Sequence, residues 1–406
     1  MPNVLPLTEP APPTDKGNPG GYVHIPALDG IRGLAIALVL LHHLLAANDV
    51  VSSRILTLIT QIRESAFIGV NLFFALSGFL ITGILLDTVD IPHYFRTFYA
   101  RRALRIFPLY YGTLFVLLLL THPMHLNWNG WEYFYLTYTS NLALWRHSFP
   151  SLEPFNVRHY WSLQVEEQFY FIWPLIVLRV RRPETLVRIC AIGALVVLAI
   201  RIFIVSMYAH PAFQDPYLAY QPTFSCADNL LFGCGLCALL RSRWRTAATR
   251  LAPRVFAVTA VAIVTMFIAF HGISFMAKDG FFSPTFGMTI VGLCCASMIA
   301  MTLESDSYAT AFFSSRFLRF LGKYSYGIYI FHYSIGGILD TRLRRFFNLE
   351  FHSKALSIGL TALIVFSLSI LVALISYHLY EIQFLKLKRF FGYNRSAKTA
   401  AISEPA

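Results

Sequence analysis

This sequence predicts an all-α integral membrane protein, a bundle of about ten transmembrane helices. Three observations carry that reading. Mean hydropathy is +0.57, and 56% of residues are hydrophobic. Only 13% are charged, against about 25% in a soluble domain, so most of the outer face has to meet lipid. The apolar residues fall in runs of about 20, the length that crosses a bilayer as helix, without the alternation of a membrane barrel.

The spans are taken in chain order. The first, 28–47, contains RGLAIALVLLHH, apolar except at Arg32 and the two closing histidines. The second, 67–87, is almost unbroken (FIGVNLFFALSGFLITGILLD). The third, 104–121, closes on FVLLLL, and the fourth, 160–179, opens on WSLQVEEQFY. Segments 188–208, 224–241, 252–271 and 284–303 are apolar and helix-length. The ninth, 317–339, shares with the fourth the highest polar content; the tenth, 356–380, is mostly apolar and holds no Asp, Glu, Lys or Arg.

One set of alternate loops, with both tails, holds more than twice the Lys and Arg of the other. Positive charge stays on the cytoplasmic side, so both termini are expected there. The loop 340–355, with Arg342, Arg344, Arg345 and Lys354, runs against that rule. Either its charges face outward for a purpose or the ninth segment does not fully cross.

Three regions follow. Residues 1–24 are proline-rich, lack the basic-then-apolar order of a secretory signal, and read as a disordered tail. Residues 25–382 form the membrane domain, and 383–406 a basic, disordered cytoplasmic tail. The longest outer loop, 122–159, is rich in aromatics (Trp128, Trp131, Tyr133, Phe134, Tyr135, Tyr138, Trp145). That composition suits a helix lying at the headgroups. No further soluble domain is read at either end.

The net charge of +12 does not indicate nucleic acid, because the basic residues are scattered through short loops. Cys234 and Cys237 have C-x-x-C spacing, but FGCGLCALL lacks the polar surroundings of a metal site. The six cysteines read as small packing residues. No metal, disulfide framework or permanently bound cofactor is expected.

The remaining polar residues stand where lipid disfavours them, and such groups usually mark function. Arg32 and His43 are eleven residues apart, about 16 Å along a helix and on nearly one face. Glu166 and Glu167 fall about two turns inside the fourth span. Asn71 and Ser77 on the second, Asp228 on the sixth, and Ser325, Tyr329 and His332 on the ninth come to similar depth. Arg101, Arg102 and Arg105 are expected to cluster with Arg32 at the inner surface. Arginine forks match phosphate oxygens, and a histidine with a carboxylate can take a proton from a hydroxyl. A long donor with phosphates at one end and a reactive group at the other would span such a site. An acyl-coenzyme A fits.

Six motifs occur in order: ALDGIRGLAIALVLLHH, GVNLFFALSGFLIT, FYARRALRIFPLYY, YWSLQVEEQFYFIWPL, SCADNLLFGCGLCALL and LGKYSYGIYIFHY. On these, residues 24–380 resemble the membrane acyltransferase family 3, the bacterial polysaccharide and O-antigen O-acetyltransferases. The resemblance implies a multi-pass protein of the bacterial cytoplasmic membrane. It would move acyl groups, acetyl foremost, from cytoplasmic acyl-coenzyme A to a carbohydrate or glycolipid acceptor. The family's Arg-x10-His signature falls on Arg32 and His43, and its R-x-x-R on Arg102 and Arg105. Its WSL-x-VEEQFY element falls on Trp161, Ser162, Leu163, Glu166, Glu167 and Tyr170. Two departures are Asn71, where many members are acidic, and His42, where many are aromatic.

The expected catalytic residues are therefore His43, Glu166 and Glu167, with Arg32, Arg102 and Arg105 binding the donor. His43 would act as base or acyl carrier, oriented by Glu166 or a neighbour. Secondary candidates are Asn71, Ser77, Trp161, Ser162, Tyr170, Asp228, Tyr329 and His332. Plainer readings stand beside these. His43 could be a satisfied bundle histidine, Glu166 and Glu167 a helix-start device, and Arg102 and Arg105 orientation anchors. Asp228 could pair with Arg201 structurally, and Ser77 could be a packing residue. The rival function is a transporter or flippase for an anionic solute, although no internal repeat of the transporter kind is read. A purely structural partner in polymer synthesis is a third reading.

Overall fold

The structure, a computed structural model, describes residues 25–44, 54–143, 150, 152–210, 213, 215–273, 280–304 and 307–392. Helices α1 (Pro26–Leu44), α2 (Arg54–Ser65), α3 (Ile68–Thr88) and α4 (Tyr94–Leu119) come first. After the short α5 (Trp131–Leu136) come α6 (Trp161–Val180), α7 (Pro183–Ser206), α8 (Thr223–Leu240), α9 (Arg245–Ala269) and α10 (Met288–Met301). The chain closes with α11 (Tyr308–Phe313), α12 (Arg316–Phe351), α13 (Lys354–Ser376) and α14 (Ile382–Lys386). No strand occurs among the described residues.

Eight segments are long and apolar enough to cross a membrane. The other two predicted spans, 160–179 and 317–339, are α6 and α12, the two most polar. Boundaries differ where polar residues continue a helix. α4 starts ten residues before the predicted 104, so its arginines are helical rather than in a loop. α7 starts at Pro183, a residue suited to a helix's first position.

Three expectations need correction. The basic stretch 340–351 is not a loop but a continuation of α12, which runs 36 residues. That is about 54 Å, well beyond a hydrocarbon core of about 30 Å. Asp340 and Arg344 support the extension by pairing at 2.7 Å one turn apart. Among its described residues the aromatic stretch 122–159 forms the six-residue α5 and short turns. Trp128, Trp131, Tyr135 and Tyr138 are buried against Leu109, Tyr110 and Leu114 of α4. They pack as a cap over the bundle, and Tyr133 is the exposed exception. The segment from 383, expected to be disordered, continues helically to Phe390. Residues 1–24, 393–406 and Trp145 lie outside the described residues.

Two close crossings position the site. A Cβ at Gly322 of α12 would stand 1.8 Å from the Asp29 carbonyl oxygen of α1. One at Gly233 of α8 would stand 1.8 Å from the Ala75 carbonyl oxygen of α3. Only glycine admits such approach, the usual device for packing helices in lipid. The first crossing lays the Arg32–His43 face of α1 along Ser325, Tyr329 and His332. Large exposed apolar side chains such as Leu195 on α7, Val261 on α9 and Leu363 on α13 suit a lipid-facing exterior.

Candidate active site

Helices α1, α4 and α12 bring basic residues to one end of the bundle. A cavity of about 510 Å³ is lined there by Arg32, Arg105, Arg316, Arg319, Lys323 and Glu381. Arg32 is paired with Asp29 at 2.8 Å one turn before it. Arg101, expected in this cluster, points elsewhere: successive helical residues diverge by about 100°. Its Nη1 donates to the carbonyls of Lys388 and Phe391 at 3.3 and 3.0 Å.

A second cavity, about 110 Å³, shares Arg32, Arg105 and Tyr326 with the first. It adds Ser77, Arg102, Ser162, Glu166, Ser325 and Tyr329. Ser77 Oγ donates to Glu166 Oε1 at 2.7 Å. The Arg102 guanidinium sits 3.8 Å over the Tyr170 ring and 3.9 Å from Glu167 Oε1. Cation–π attraction and a carboxylate together hold that arginine in place.

This corrects the expected pairing of His43 with a carboxylate. Glu166 and Glu167 belong to the arginine end, and His43 lies beyond it. α6 starts beside His159, and Glu166 is seven residues on, about 10 Å farther along the axis. The helix therefore carries both carboxylates past the histidine.

The histidine end is an imidazole cluster. His43 Nδ1 lies 3.0 Å from the Val39 carbonyl oxygen and 3.2 Å from His332 Nε2. His332 Nδ1 lies 2.8 Å from the Tyr329 carbonyl oxygen. His159 Nε2 reaches the same oxygen at 2.9 Å. Its ring is 5.0 Å from that of His332, and Tyr333 packs 4.8 Å from His43. The Tyr329 hydroxyl lies 2.6 Å from Ser162 Oγ and donates to the His159 carbonyl at 2.8 Å. Ser162 and Tyr329 thus wall the small cavity on one side and touch the imidazole cluster on the other. His42, the neighbour of His43, is bound to the Arg63 carbonyl at 3.0 Å.

Asn71 and Asp228 fall away from the cavities. Asn71 Nδ2 donates to Asn229 Oδ1 at 3.1 Å, joining α3 to α8. Arg201 and Asp228, both fully buried, pair at 2.6 Å, and Thr289 of α10 donates to the same carboxylate at 3.2 Å. The group braces α7, α8 and α10. Trp161 packs on Phe74 and Tyr220 as a wall.

Sequence reasoning missed His159, Arg316, Arg319 and Lys323. His159 stands just before the WSL motif, in a stretch read as loop. The three cations recur at i, i+3 and i+7, one helical face, and that spacing is the signal that marks them. Among the described residues no group of three or more His, Cys, Asp or Glu is arranged to hold a metal.

A family model described as an acyltransferase domain matches residues 25–380. The peptidoglycan O-acetyltransferase OatA of Listeria monocytogenes is 31% identical over 77% of the chain and 49% of its own length. YrhL of Bacillus subtilis is 30% identical over 88% and 54%. The O-acetyltransferase OatA of Staphylococcus aureus is 27% identical over 77% and 50%. The chain therefore spans about half the length of these relatives. No solved structure matches it significantly.

Proposed function

The chain belongs to this acyltransferase family, and we propose that it is a membrane O-acetyltransferase acting on a cell-envelope carbohydrate. The expected acyl group is acetyl, and the donor is a cytoplasmic acyl-coenzyme A. Relatives named for peptidoglycan make its glycan the first acceptor to test. In this reading α6 and α12 complete ten spans in the bacterial cytoplasmic membrane, with both termini and the arginine end cytoplasmic.

One observation carries the proposal. Two cavities sharing Arg32 and Arg105 lead from a basic mouth to Tyr329 and Ser162, which contact the imidazole cluster. Phosphates would sit among Arg32, Arg105, Arg316 and Arg319, with Arg102 deeper. The thioester arm would extend towards His43. His43 takes the proton of an acceptor hydroxyl, the oxygen attacks the thioester carbon, and the thiolate leaves. A positioned base contributes about 10²–10⁴-fold. A donor hydrogen bond or an arginine would stabilise the oxyanion. In a variant of this route His43 carries the acyl group before transfer.

The test is H43A, purified in detergent and assayed with radiolabelled acetyl-coenzyme A and peptidoglycan-derived oligosaccharides. Transfer should be abolished while the protein still inserts. Near-normal transfer removes the proposal. Solute uptake by the wild type in vesicles, without a covalent product, would favour the transporter instead.

A further inference from the structure

The imidazole cluster is connected so that its protons can be traced. His332 Nδ1 faces two carbonyl oxygens, those of Tyr329 at 2.8 Å and Ile328 at 3.2 Å. A carbonyl only accepts, so in the neutral ring Nδ1 carries the proton and Nε2 a lone pair. That lone pair faces His43 Nδ1 at 3.2 Å. The second neighbour of His43 Nδ1 is the Val39 carbonyl at 3.0 Å, also an acceptor. His43 Nδ1 is therefore the donor to both, and His43 Nε2 is left as the basic nitrogen. No carboxylate bonds to either ring among the described residues; Glu166 is held by Ser77. The other titratable groups facing the pair are His42, Arg63, His159, Tyr329 and Tyr333.

We propose that His332 is the positioning residue for His43: its Nε2 accepts the His43 Nδ1 proton, fixes the ring, and shares the charge of the imidazolium. In hydrolase triads a carboxylate fills that place; here a second imidazole does. The inference rests on His43 as the base. In the step itself, the acceptor O–H bond breaks and an N–H bond forms at His43 Nε2. The hydroxyl oxygen bonds the acyl carbon, the carbon–sulfur bond breaks, and the thiolate recovers the proton from Nε2. His332 forms no covalent bond; its hydrogen bond to Nδ1–H strengthens while His43 is charged.

Two substitutions separate positioning from packing. H332M keeps bulk and removes the acceptor. H332Q places an amide oxygen where Nε2 stood. For acetyl transfer from acetyl-coenzyme A to peptidoglycan-derived oligosaccharides, H332M should lower kcat about a hundredfold with both KM values within about twofold. H332Q should regain at least about tenfold over H332M. Wild-type kcat in H332M overturns the proposal, as does H332Q no faster than H332M. If H332M does not accumulate in the membrane, H332Q decides alone: kcat within about tenfold of wild type supports the role, and a larger loss ends it. Full activity in H43A would instead overturn the reading of His43.

Discussion

Ser77 donates a 2.7 Å hydrogen bond to Glu166, and that bond ties α3 to α6 at the wall of the smaller cavity. It gives a carboxylate inside an apolar bundle a fixed orientation beside Arg102. A hydrogen bond to a charged group is worth about 1.5–3 kcal/mol.

E166Q removes the charge that faces the arginines while keeping shape. We expect kcat/KM for the acyl donor to fall about tenfold to a hundredfold. S77A leaves the carboxylate in place and should cost less, about tenfold or under. Steady-state kinetics on purified protein check both. S77A losing more than E166Q would mean that Ser77 takes part in the chemistry itself.

The basic mouth predicts a donor-specific effect. R316Q with R319Q should raise the KM for acyl-coenzyme A about tenfold and leave kcat within about twofold, because phosphate contacts remote from the reacting carbon are made in ground and transition states alike. The wild-type KM should also rise with salt, and the double variant's less so. An unchanged KM places the donor elsewhere.

Arg201 and Asp228 predict a stability effect without a catalytic one. Breaking a fully buried pair leaves an uncompensated charge and costs about 3–5 kcal/mol. R201M should therefore melt well below wild type in detergent. R201M combined with D228L should recover much of the loss, since well-packed apolar residues often replace a buried pair at little cost. A double variant no better than R201M would contradict the bracing role.

His159 predicts a pH effect. It lies in the turn before α6, outside the spans, and burial pushes its imidazole down from 6.5 to about 3. Between those values the unfolded chain binds the proton and the folded one does not. Stability then rises with pH across that window and is fully present above 6.5. Thermal melts from pH 7.5 to 5 should show wild type losing more than H159Q. Parallel curves would rule this out.

Much of the fold is legible in the sequence. Runs such as IGVNLFFALSGFL announce α3, and eleven residues bring Arg32 and His43 to one face of α1. The length of α12 was not legible, because hydropathy falls after Leu339 while the helix continues on backbone bonds and the Asp340–Arg344 pair. The partners of His43 were hidden for another reason. His332 is 289 positions away, and His159 sits in a turn with no periodicity to mark it. Depth counted from a helix end put Glu166 beside His43; which side chains meet across helices does not follow from depth alone, and Glu166 meets Ser77 and Arg102.

The Tyr329 carbonyl, which receives His332 Nδ1 and His159 Nε2 together, is part of the main chain. Exchanging the side chain at 329 would strip away the phenol yet leave that oxygen in place. Proton placement on two imidazoles is therefore written into the helical backbone, beyond the reach of ordinary point substitution at that position. The phenol has a separate task, since its hydroxyl meets Ser162 and the His159 carbonyl.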